Sequence, residues 1–341
     1  MNAQLDVPAL EAFLRRHIPD YQGPLEIERF EGGQSNPTYR LSTGTRRYVL
    51  RKKPAGVLLP SAHAVDREYR VITALGDTEV PVAKTYCYCD DPGVIGTPFY
   101  VMDFVHGRIF WDPTLPGLKP AERGALWDDF NRVIAALHRV DYHALGLSDF
   151  GRPGNYVERQ IGRWTKQYRA SETERIEAMD RLIEWLPGNI PPEDDTSIVH
   201  GDLRLDNMIV HPAEPRILAM LDWELSTIGH PLADFSYHCV TWHLSAEQFR
   251  GMAGCNLREL GIPSETEYVE KYCRRVGRAA VDPGQWQFHL AFSLFRLAAI
   301  LQGIAKRALD GTAASAQALE TGRRARPIAE AGWRLVESRK V

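Results

Sequence analysis

The chain has 341 residues, 44% hydrophobic and 25% charged, which places it among globular proteins and excludes disordered, collagenous and fibrous classes. Its 41 Lys and Arg against 44 Asp and Glu give a formal charge of −3, without the basic surplus that binding to phosphate backbones requires, so no nucleic-acid partner is expected. Five cysteines cannot all pair, and Cys87 and Cys89 lack the spacing of a zinc ribbon; reduced thiols in a cytoplasmic protein are expected.

The N-terminus carries no basic region followed by an apolar run, so no signal peptide is expected. Val7, Leu10, Phe13, Leu14 and Ile18 share one helical face behind Asp6 and Pro8, which predicts a helix over 6–18. Three short strands follow near 25–30, 37–42 and 46–52, separated by the turn formers GGQSN and STGT. A helix through AHAVDREYRVITALG stops at Gly76, and the strand candidates AKTYCYC and FYVMDFV flank the turn DDPGVIGTP. These elements predict an antiparallel meander with helices, a small lobe over 1–104. From 105 to 341 the pattern turns helical, near 120–140, 155–186, 245–260, 265–277, 285–309 and 313–338. The fold class is thus α+β with two lobes. SLFRLAAIL, broken by Arg296, falls short of the roughly 20 apolar residues of a bilayer span, so no membrane partner is expected.

Inside the helical half stands His200-Gly201-Asp202-Leu203-Arg204-Leu205-Asp206-Asn207, between the apolar runs 197–199 and 208–210, and a further run ends in Asp222. A carboxylate, a carboxamide five residues on and a second carboxylate after the next strand can converge if they leave the same end of a hairpin. Asp and Asn are ordinary turn formers, but this joint pattern suits Mg2+, a hard cation that prefers oxygen ligands. Phosphoryl transfer needs one carboxylate to accept the acceptor's proton and two oxygens to hold the metal against the nucleotide. Asp202 is expected to be the base, and Asn207 and Asp222 the ligands.

HGDLRLDN followed by LDWE resembles the catalytic loop and metal segment of the aminoglycoside phosphotransferase superfamily, over about residues 20–310. GGQSNPTY, VLRKKPAGVLLPSAHAVDREYRV, RWTKQYRASET and LDWELSTIGHPLAD are more closely similar to the kinase-like module fused to certain acyl-CoA dehydrogenases. The resemblance implies a protein-kinase-like fold with ATP between the lobes. Gly33, Ser35 and Asn36 would then approach the phosphates, in a loop shorter than that of protein kinases. Arg51 or Lys52 would stand where kinases carry their strand-three lysine. Strand alternation lets only one face the nucleotide, and Arg51 is favoured because Val49 would share its face as an adenine contact. Glu68 would pair with that cation, and Met102, Asp103, Phe104 and Val105 would form the hinge. His200 would orient the catalytic loop and Asp234 would brace it.

Acceptor contacts are expected on the basic, aromatic helix after GRPGN, from Arg159, Arg163, Trp164, Lys166 and Tyr168. Arg296, if buried, requires a partner. The dehydrogenase-fused modules act as 4-hydroxyacyl-CoA kinases, so the resemblance implies a hydroxyacyl-CoA acceptor and an acyl-CoA dehydrogenase-like partner, expected on a separate chain. The alternatives are an aminoglycoside or amino-alcohol kinase and an ATP-binding pseudokinase acting as an interaction module.

Overall fold

The structure, a computed structural model, describes residues 5–30, 36–54, 63–192, 195–313 and 317–338. Helix α1 (Val7–His17) begins where Asp6 accepts a hydrogen bond from the Ala9 amide at 3.0 Å, with Pro8 in the first turn, and carries Arg15, Arg16 and His17 in its last turn. Those ends match the helix dipole. Its apolar face, Leu10, Phe13 and Leu14, packs on Leu41, Leu50 and Val101 of the small-lobe sheet.

That sheet is antiparallel, in the order β1 (Glu26–Arg29), β2 (Thr38–Ser42), β3 (Arg47–Lys52), β5 (Phe99–Asp103) and β4 (Thr85–Cys89). Helix α2 (Val65–Leu75) separates β3 from β4, and the single turn α3 (Pro92–Ile95) lies between β4 and β5. Alternation along β3 divides the sheet's two sides. Leu50 joins the cluster beneath α1, whereas Val49 joins the core shared with α2 and the large lobe.

The large lobe contains α4 (Pro120–His138), α5 (Tyr156–Ala170), α6 (Glu177–Trp185), α7 (Pro231–Cys239), the single turns α8 (Ala246–Phe249) and α9 (Leu257–Leu260), α10 (Glu265–Val276), α11 (Pro283–Leu309), α12 (Ala318–Arg323) and α13 (Ala325–Ser338). The expected helix over 155–186 is broken. The Ser171 hydroxyl bonds the Gln167 carbonyl at 2.8 Å and competes with the ladder, and a loop precedes α6. The region 245–260 forms two single turns. Helix α7 escaped the sequence reading because Leu232 to Cys239 are all buried, which erases amphipathic periodicity. At 27 residues α11 is long and apolar enough to cross a membrane, longer than the run SLFRLAAIL suggested, yet it is packed inside the lobe against α5, α7, α12 and α13.

The segment around HGD also differs from expectation. Its strands form two ribbons rather than one hairpin: β6 (Ser197–Val199) pairs with β9 (Thr227–Gly229), and β7 (Met208–Val210) with β8 (Ile217–Met220). Asp202 follows β6, Asn207 precedes β7 and Asp222 follows β8. The Leu221 amide donates to the Asn207 carbonyl at 2.8 Å and ties two of these positions together.

Candidate active site

The catalytic loop is held mainly through its backbone. The buried Asp234 carboxylate on α7 accepts the amides of His200 at 2.7 Å and Gly201 at 2.9 Å. Burial works to raise its pKa, but His138, 3.3 Å away, and the loop's hydrogen bonds outweigh that and hold it below the usual range. The His200 ring accepts the Asp202 amide at Nδ1, 3.2 Å away, which leaves Nε2–H to donate to the Leu221 carbonyl at 2.8 Å. One imidazole thus joins the residue before Asp222 to the turn that carries Asp202. Gly201 has φ of +83°, and a Cβ there would stand 2.6 Å from the Leu225 carbonyl oxygen. Only glycine fits.

Asp202 is largely buried, and one carboxylate oxygen accepts both Arg204, at 3.0 Å, and the Asn207 amide, at 2.9 Å. Burial opposes the Arg204 charge, but Asp202 and other neighbours keep its pKa above the ordinary guanidinium range. Because Asn207 also donates to the Asp202 carbonyl at 2.9 Å, its carboxamide orientation is fixed with the oxygen directed away from those bonds. That oxygen and the Asp222 carboxylate line the same cleft. Two oxygen donors, one charged and one neutral, fit Mg2+, which usually takes few protein ligands and completes its shell with water and phosphate. Asp222 has φ of +65°, a left-handed conformation uncommon outside glycine.

The cleft between the lobes is about 460 Å³, within the range of small-ligand sites, and is lined by Val49, Arg51, Met102, Asp103, Phe104, Val105, Asn207 and Asp222 among others. Alternation puts Arg51 in it. Lys52 is turned to the Leu50 side, where burial and then Arg29 lower its pKa, so Lys52 drops out as a phosphate contact. Arg51 is an ion-pair hub: Glu68 at 2.8 Å, Asp222 at 2.7 Å and Glu224 at 3.6 Å. Burial disfavours its charge, yet Glu68 and the other carboxylates hold its pKa above the ordinary guanidinium range. Glu68 is 1% exposed and also accepts Tyr100 Oη at 3.1 Å; burial pushes its carboxyl up, to about 7, against the pull of Arg51.

Two expectations about the turn after β1 meet different outcomes. Gly33 and Ser35 lie outside the described residues. Asn36 is buried, and its side chain donates to Glu68 at 2.7 Å and meets His63 at 3.0 Å, so it braces Glu68 rather than reaching for phosphate. Among the described residues no hydrogen bond uses the Val105 amide, which is free to serve a ligand in the cleft that Val105 lines.

On the acceptor side, α5 is amphipathic, and its aromatic residues belong to the core. Trp164 and Tyr168 are buried with Ile161, which removes them as acceptor contacts. Arg159 is spent on the Gly154 and Arg152 carbonyls. Arg163 and Lys166 remain exposed. The sequence reading passed over Arg204, although it lies inside HGDLRLDN, two residues beyond Asp202 and so available to contact it. Arg250, which pairs with Asp206 at 2.8 Å and stands over Trp111 at 4.5 Å, left no signal in the sequence because forty-odd residues separate the partners.

A model of the phosphotransferase enzyme family matches residues 26–268. The chain is 48% identical over 328 residues to mouse acyl-CoA dehydrogenase family member 10, covering 95% of this chain and 30% of that protein. To rat acyl-CoA dehydrogenase family member 11 it is 43% identical over 340 residues, covering 97% and 43%. The chain therefore spans less than half the length of these curated relatives. A crystal structure of an inferred aminoglycoside phosphotransferase from Ralstonia eutropha superposes with a TM-score of 0.91 at 57% identity, covering 98% of this chain and 99% of the other. With a cation hub and paired oxygen donors lining one interlobe cleft, the chain belongs to the phosphotransferase enzyme family and is an ATP-dependent phosphotransferase of kinase-like fold.

Proposed function

We propose that the protein transfers the γ-phosphoryl group of ATP to the hydroxyl of a 4-hydroxyacyl-CoA. Asp202 takes the acceptor proton, the freed oxygen attacks the γ-phosphorus, and the bond to the β-phosphate oxygen breaks to release ADP. Asp222 and Asn207 would hold Mg2+, which when bound would neutralise charge at the phosphates. Arg51 holds phosphate oxygens on the small-lobe side, and the hinge over 102–105 holds adenine.

The observation that carries the acceptor class is the charge around Asp202. Arg204 contacts it, Arg296 donates to the neighbouring Gly201 carbonyl, and the nearby Asp206 is already paired with Arg250. A cationic aminoglycoside or amino alcohol requires carboxylates that are not yet neutralised, whereas a CoA thioester brings phosphates. The acyl-CoA dehydrogenase names of the relatives support the same class. Phosphorylation turns a poor leaving group into a good one, and an acyl-CoA dehydrogenase-like enzyme is the natural consumer of the product. The buried free thiols Cys87, Cys89, Cys239 and Cys273 support a reducing, cytoplasmic setting.

The test is phosphorylated product, scored by mass spectrometry, from a 4-hydroxyacyl-CoA, the free 4-hydroxy acid, kanamycin and choline. Turnover of the thioester well above the free acid is expected. Neutralising Arg163 or Lys166 should raise the thioester's KM roughly tenfold, about 1.4 kcal/mol, and leave the KM for ATP unchanged. Equal use of the free acid means that CoA is not read. Turnover of kanamycin or choline alone moves the protein to a cationic acceptor class, and nucleotide binding without turnover of any acceptor favours an interaction module.

A further inference from the structure

Arg296 lies in the apolar middle of α11 and is only 5% exposed. Among the described residues no carboxylate is ion-paired with it, and its Nε is buried without a hydrogen-bond partner. A buried cation kept without a counter-ion is a poor packing choice, since an aliphatic side chain of similar volume would spare the desolvation cost. What the guanidinium has instead is an aromatic clamp and one carbonyl. It lies 4.8 Å from the centre of the Tyr237 ring and 5.5 Å from that of Trp164, and it donates to the carbonyl oxygen of Gly201.

That carbonyl belongs to the peptide that enters Asp202. Asp234 already holds the Gly201 amide, so Arg296 fixes the other end of a residue whose left-handed conformation sets the direction of the base. Tyr237, stacked on the guanidinium, also lies against the Asp202 carboxylate. We propose that Arg296 is a positioning residue for phosphoryl transfer, which aims Asp202 through the Gly201 carbonyl and through Tyr237 while contacting neither the nucleotide nor the reacting atoms. Trp164 serves as the outer jaw of that clamp, which explains an aromatic residue on the core face of α5 beside the loop.

The test compares wild type with Arg296→Met and Arg296→Lys. Turnover is measured with ATP and a 4-hydroxyacyl-CoA, and the slow hydrolysis of ATP without acceptor is measured in the same samples. ATP affinity is followed by calorimetry and folding by thermal melting. Arg296→Met is expected to lower kcat and background hydrolysis about a hundredfold, as misplacement of a reacting group does, with ATP affinity unchanged within twofold. Arg296→Lys, which keeps a donor and a charge but not the planar stack, should recover about tenfold of that loss. Unchanged kcat in the Met variant, or a loss matched in ATP affinity and not rescued by Lys, would overturn the proposal. If the Met variant does not fold, the Lys variant decides: a tenfold lower kcat at wild-type ATP affinity supports it, and wild-type kcat overturns it. Failure of wild type to use the thioester would sink the acceptor assignment alone, because the hydrolysis ratio still reports on Arg296.

Discussion

A carboxylate that accepts both Arg204 and Asn207 on one oxygen is held in one orientation, which is the geometric requirement of a general base. Asp202→Asn should therefore lower turnover by about a hundredfold or more while ATP binding stays near wild type, with steady-state kinetics and calorimetry as the two readouts. Near wild-type turnover would remove Asp202 from that role. Asp222 should behave differently. In Asp222→Ala the Mg2+-dependent part of nucleotide affinity should disappear, with a smaller loss in Asn207→Ala, because a charged oxygen holds Mg2+ more strongly than a neutral one. Metal-free nucleotide affinity should not fall in Asp222→Ala, since Arg51 is then released for phosphate. Calorimetry with and without Mg2+ separates the two effects, and equal affinities in all three proteins would locate the metal elsewhere. Asp202, Asn207 and Asp222 stand out in the sequence because two carboxylates and a carboxamide occupy fixed positions in one segment. Asn36 was misread because nothing in GGQSNPTY distinguishes a side chain offered to a ligand from one already engaged by Glu68.

At the scale of elements, two-residue periodicity and turn chemistry made all five small-lobe strands readable to within a few residues, and the same alternation separated Arg51 from Lys52. What defeated the reading was burial. Helix α7 is buried all round, and the partners of the ribbons β6–β9 and β7–β8 are chosen by tertiary packing rather than by the strings themselves. The aromatic face of α5 looked like a binding surface because the pattern of a core stripe and that of a ligand stripe are the same. The joint between α7 and the catalytic loop supplies a further prediction. In Asp234→Asn the side chain offers one oxygen where two amides now find acceptors, and its NH2 group is directed at a donor. Urea denaturation should show a loss of about 3 kcal/mol, the scale of hydrogen bonds to a buried charge, together with a fall in kcat. Retention of both wild-type stability and wild-type kcat would show that the loop is held by other contacts.

Over the whole molecule, the large-lobe core carries a pH dependence that its aromatic packing dictates. His238 lies among Trp127, Phe130 and Tyr268, with a ring nitrogen 3.0 Å from the Tyr268 hydroxyl, and burial lowers its pKa to about 4. The unfolded chain binds a proton near pH 6.5 and the folded chain does not until about 4, so stability is complete above that window and is lost as the pH falls through it. The group accounts for about 3 kcal/mol of acid sensitivity. His238→Gln, which cannot titrate, should flatten the pH dependence of urea unfolding by that amount between pH 7 and 4; parallel curves would rule the residue out. The remaining consequence concerns the way the two lobes meet. Arg51 belongs to the small-lobe sheet and Asp222 to the large lobe, yet they touch across the cleft at 2.7 Å, beside the Arg67 and Arg70 contacts of α2 with Phe150 and Asp149. The distance between the lobes and the state of charge in the cleft are therefore one variable. To widen the mouth is to pull opposite charges apart, and a ligand that takes over either partner removes that one tether while the Arg67 and Arg70 contacts of α2 remain.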